Sequence, residues 1–160
     1  FETEEKVNRS LKAGAMAIGC DLEIQDTPGY FPLHQDENLT ELLKKHIRNY
    51  MDDSMIAQGT HGFASGDMGD ISMMWPTVEI GTAGFSGTIH GKDFKTADPV
   101  QAFEIPARYF ADAIEELLSD GGAAAWRIKE AFRPVMSKTD YLEKLDSLNK
   151  STNFIYSKGE

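Results

Sequence analysis

A single cysteine, Cys20, leaves no partner for an internal disulfide and suits a reducing, cytoplasmic setting. No apolar run approaches the roughly 20 residues that span a bilayer, so no membrane-crossing helix is expected. Basic residues are outnumbered, 16 against 26 acidic. The resulting net charge of −10 argues against nucleic acid, whose binding relies on clustered Lys and Arg to neutralise phosphates. The chain starts at Phe1 without a basic segment followed by an apolar one, so no secretory signal is read and the start looks like a cut in a longer protein. The three sequons, at Asn8, Asn38 and Asn149, are then chance matches.

Several catalytic templates are also missing. There is no HExxH, no CxxC, no GxSxG and no phosphate-cradling GxxxxGKS/T. The glycines Gly81, Gly84 and Gly87 do not have dinucleotide-binding spacing. A nucleotide-binding α/β domain therefore has no support.

What remains is a globular composition, 41% hydrophobic and 26% charged, which can bury a core. Val7, Leu11, Ala15 and Ile18 recur at helical spacing, with Gly19 as a stop. Leu22 and Ile24 alternate with Asp21 and Glu23, the pattern of a half-buried strand over Cys20 to Gln25. Asp26-Thr27-Pro28-Gly29 breaks that pattern and begins a crossing segment through Pro32. Asn38 and Glu41 have capping-box spacing and open a helix to about Asp52.

The region Gly59 to Gly91 is glycine-rich, and its apolar runs Ile71 to Trp75 and Thr77 to Ile80 read as short strands. Asp98-Pro99 offers one helix start and Pro106 a later one, with the helix running to Ser119. Helices over Ala123 to Phe132 and Lys138 to about Leu148 follow, then an edge strand near Phe154 to Tyr156. The sum is an α/β assembly, split into 1–32 and 33–160.

Two segments, Ala64 to Ser72 and Gly84 to Phe94, place polar residues and glycines inside apolar stretches, where loops carry function. In the second, His90 lies between Ile89 and Gly91. That position suits a metal ligand, although a hydrogen-bonded loop histidine is the commoner role of such a residue. In the first, Asp67 and Asp70 flank Gly69. They could ligate a cation, orient a histidine or cap backbone amides, and capping is the commonest role of Asp beside Gly. His34, His46 and His61 read as structural or solvated.

Ser65-Gly66-Asp67-Met68-Gly69-Asp70-Ile71-Ser72, followed by Pro76-Thr77, resembles a stretch of the M20 family of zinc-dependent peptidases and amidohydrolases. The similarity is to the aminobenzoyl-glutamate hydrolase and N-acyl amino acid amidohydrolase branch, where such a stretch ends in Pro-Thr. A Gly-Thr turn and the last metal-ligating histidine follow in that family, and here Gly81-Thr82 precedes His90.

The resemblance implies that residues 33–160 form the C-terminal part of a zinc-peptidase-like catalytic domain. Residues 1–32 would then be the end of an α+β lid or dimerisation domain. It implies two Zn ions, with Mn or Co as substitutes, an amide substrate of the N-acyl amino acid or dipeptide type, and a homodimer at full length. His90 transfers as a metal ligand, whereas Asp67, Gly69 and Asp70 shape a loop or the substrate cleft. The remaining ligands and the general-base Glu belong, in the family, to an N-terminal half that this sequence does not contain, so the 160-residue chain alone is expected to be inactive. A second histidine in a His-Lys-Gly setting has no counterpart near Phe103-Glu104-Ile105, which puts substrate preference in doubt. The rival reading is a non-catalytic assembly or binding module derived from the same fold.

Overall fold

The computed structural model describes residues 2–57 and 66–157. His61, Ala64 and Ser65, the front of the glycine-rich region, lie outside them. In chain order the elements are α1 (Glu2–Ile18), β1 (Leu22–Asp26), α2 (Glu37–Ile47), α3 (Met68–Ser72), β2 (Phe85–Ser86), β3 (Lys95–Thr96), α4 (Ile105–Leu118), α5 (Ala123–Ala131), α6 (Lys138–Leu148) and β4 (Lys150–Phe154). Among the described residues helix accounts for 53% and strand for 10%, a mixture of helices with small two-stranded sheets.

The chain divides into two compact units, 1–29 with 138–160, and 30–137. The break after Gly29 falls at the Asp26-Thr27-Pro28-Gly29 interruption. Unlike the division read from sequence, 138–160 joins the first unit, because β4 pairs antiparallel with β1 from Leu22–Phe154 to Asp26–Lys150.

In the first unit α1 packs on β1, and Asn8 donates to Asp26 at 2.9 Å. The half-buried positions of α1 are Glu4, Asn8, Lys12 and Ala15. The apolar stripe faces outward instead, with Leu11 49% and Ile18 75% exposed. On α6, Tyr141, Leu145 and Leu148 are half-buried but Leu142 is exposed. The final strand is Lys150–Phe154, earlier than the expected Phe154 to Tyr156.

The core of the second unit joins Leu42, Leu43 and Ile47 of α2 to Tyr109 and Ala113 of α4 and to Ala124 and Ile128 of α5. Two expectations about α2 are corrected here. The cap of α2 is Asp36, whose carboxylate accepts from the Leu39 N–H at 2.7 Å, not Asn38. Asp36 is itself fixed by its N–H donating to Thr77 O, which places its side chain under the first turn. The helix ends at Ile47 instead of Asp52, although Tyr50 and Met51 still pack on the core.

The run Ile71 to Trp75 is no strand, since Met68–Ser72 is helical and the chain then turns. Thr77 to Ile80 forms no strand either, but Val78 and Ile80 pack inward as their alternation implies. Helical structure also begins before Pro106. A five-residue π turn, Val100–Glu104, precedes α4, and the Ile105 N–H donates to Val100 O. The wider turn accommodates a proline that has no N–H for the α ladder.

Candidate functional site

His90 sits in the loop joining β2 to β3, a hairpin registered Phe85–Thr96 and Ser86–Lys95. The hairpin is anchored at its base, where Gly84 O accepts from the Ala97 and Asp98 N–H groups at 2.8 and 2.9 Å. Asp98 then caps the helical run, its Oδ1 accepting from Val100 and Gln101 N–H. Phe85 stacks on Phe94, with ring centres 5.2 Å apart, and meets Phe103 edge-on. The hairpin thus rests on the π turn that precedes α4.

At its tip His90 is exposed and has a left-handed backbone, φ 64°. A non-glycine residue there costs on the order of 1 kcal/mol. The neighbouring glycines make the turn possible. A side chain on Gly87, at φ 92°, would run into Asp93 O, and one on Gly91 would meet Asp93 Oδ1 and Thr88. The loop is closed by Thr88 N–H donating to Asp93 Oδ2 at 3.2 Å and by Gly91 N–H donating to Thr88 O at 2.7 Å.

The 67–72 turn is built differently. Asp70 Oδ1 accepts from Phe31 N–H at 2.9 Å, while Ser72 Oγ donates to Gly69 O and accepts from His34 N–H. Gly69 lies so close to Phe31 that a Cβ would collide with the Phe31 carbonyl oxygen. These three residues clamp the turn onto the 31–34 segment. Asp67 starts α3 with an exposed side chain that makes no capping bond.

Among the described residues no three His, Cys, Asp or Glu side chains converge on one point. His90 therefore shares no such cluster with Asp67 and Asp70. A zinc centre needs three or four protein ligands, so the described residues of this chain do not complete one. His34 contributes its backbone N–H to Ser72, and His46 is engaged on α2, its Nε2–H donating to Glu116 at 2.7 Å.

A cavity of about 580 Å³ lies in the second unit, lined by Ile47, Met51, Ile56, Val78, Ile80 and Tyr109 among others. That volume is within the range of small-molecule pockets. Residues missed from sequence are Asp93 and Glu116, which accepts from both Lys45 and His46, whereas Asp98, read from sequence as one possible helix start, does cap Val100 and Gln101. Neither Asp93 nor Glu116 carried a local signal. Among the described residues no helix is long and apolar enough to cross a membrane. Comparison with protein-family models, curated proteins and solved structures finds no match to this chain.

Proposed function

We propose that this chain is the C-terminal portion of a two-metal amidohydrolase of the M20 type, in which His90 supplies one ligand to Zn, or to Mn or Co. The remaining ligands and the general-base Glu come from a segment outside these 160 residues. The substrate is a small amide, an N-acyl amino acid or a dipeptide-like molecule. Asp67, Gly69 and Asp70 belong to the turn that shapes the cleft.

The observation that carries this reading is His90 itself, exposed at the tip of an anchored hairpin with a left-handed backbone. Outlying backbone conformations cluster at functional positions. The cavity, lined by apolar side chains together with Gln35, Lys44, Glu79 and Gln101, supports a small-molecule ligand, and the outward stripe of α1 supports a homodimer. One cysteine supports a cytoplasmic location.

A second reading, a non-catalytic assembly or binding module, is favoured by the absence of a three-ligand cluster among the described residues. Hydrolysis of a panel of N-acyl amino acids and dipeptides separates the two. The 160-residue chain is expected to be inactive, and the natural gene product to hydrolyse at least one member and lose that activity to a chelator. A natural gene product that hydrolyses none would favour the binding module. Hydrolysis by the 160-residue chain alone would contradict the division of ligands.

A further inference from the structure

We propose that Asp93 is the positioning residue for His90: its carboxylate closes the 88–93 loop and holds His90 in the left-handed conformation that presents its imidazole. The inference rests on the reading of His90 as a functional side chain, but its geometry stands without a metal.

Asp93 meets the loop at both ends. Its Oδ2 accepts from Thr88 N–H at 3.2 Å and lies 3.5 Å from Thr88 Oγ1, on the far side of the turn from its own backbone. Its Oδ1 occupies the space beside Gly91, 2.5 Å from where a Cβ would stand. The Gly91 N–H in turn donates to Thr88 O at 2.7 Å, and Phe94 N–H donates to Gly91 O at 3.2 Å. His90 lies inside this ring of bonds, preceded by exposed Ile89 and followed by the glycine over which the carboxylate sits.

Both His90 and Ile89 are exposed, so burial contributes little to holding His90 in place. Its unfavourable φ persists only while the surrounding bonds over-determine it. Removing the carboxylate releases Thr88 N–H and leaves φ of His90 free to relax to the right-handed or extended regions. The imidazole then samples many directions. Sites are effective when their side chains are held in one geometry before the ligand arrives.

The test uses the isotope-labelled 160-residue chain and NMR. In Asp93→Ala, the His90 backbone coupling and Cα shift are expected to leave left-handed values. Thr88 amide exchange should accelerate roughly fivefold, the loss of one ordinary hydrogen bond. Asp93→Asn keeps a carbonyl acceptor and should retain both signals. Gly91→Ala, whose Cβ would meet both Asp93 Oδ1 and Thr88, should also lose the left-handed His90 signature. Unchanged methyl shifts of Leu42 and Leu43 report that the core is intact.

Retention of the left-handed His90 signature in Asp93→Ala, or equal loss in Asp93→Ala and Asp93→Asn, would overturn the assignment. The amidohydrolase reading is decided separately, by metal content after replacement of His90, so either can fail without the other.

Discussion

Asp70 and Phe31 are joined across 39 residues of chain by one hydrogen bond, the Phe31 N–H donating to the Asp70 carboxylate at 2.9 Å. Gly69 allows this approach, because its bare Cα lies against the Phe31 carbonyl. The acidic residue that looks like a candidate ligand in the sequence is engaged with a distant backbone amide. That contact ties the turn to the segment entering the second unit.

Breaking the clamp should be costly. Asp70→Ala is expected to lower stability by about 1.5–3 kcal/mol, the worth of a hydrogen bond to a charged group. Asp70→Asn should recover part of that loss. Gly69→Ala must displace the 31–34 segment and should cost about as much, or more. Urea unfolding of the three variants checks the order.

Glu116 gives the second unit a pH dependence. Its carboxylate is held below the usual glutamate range first by the hydrogen bond from Lys45, then by that from His46, with burial opposing. A carboxyl group whose folded pKa is depressed stabilises the fold above its unfolded value, about 4.3. That stabilisation is lost as the pH falls through the lower folded value. Glu116→Gln should therefore lower the melting temperature at neutral pH and have less effect in acid. An equal effect at both pH values would show that the ion pair contributes nothing.

Leu11 and Ile18 make the exposed face of α1 a candidate self-association surface, since a helix normally buries its apolar stripe. Leu11→Asp is expected to weaken self-association at least tenfold in sedimentation equilibrium, with helical content preserved. A wild-type chain that stays monomeric at high concentration would remove α1 from the interface.

Much of the helical architecture was legible because the apolar spacing and its stops agreed, as at Gly19 and before Pro134. The helices α5 and α6 ran close to their expected spans. Short apolar runs did not fare as well. Ile71 to Trp75 read as a strand because five residues cannot distinguish period two from a helical turn. The Ser72 bonds to Gly69 O and His34 N–H then favour the helical form.

The pairing of β1 with β4 sets Glu23 opposite Asn153 and lets Ser151 Oγ donate to the Glu23 carboxylate, 128 positions away, and no local pattern encodes it. At the candidate site His90 stood out through its glycine neighbour. Asp93 did not, because its role depends on a loop closing back on Thr88.

The most direct measurement is the metal content of the natural gene product carrying His90→Ala, determined by atomic spectroscopy after exhaustive dialysis. If His90 is a ligand, at least one of two bound ions should fall to a small fraction of its wild-type occupancy, with the fold retained by circular dichroism. Two ions held at wild-type occupancy by the variant, or no bound metal in the wild type, would contradict it.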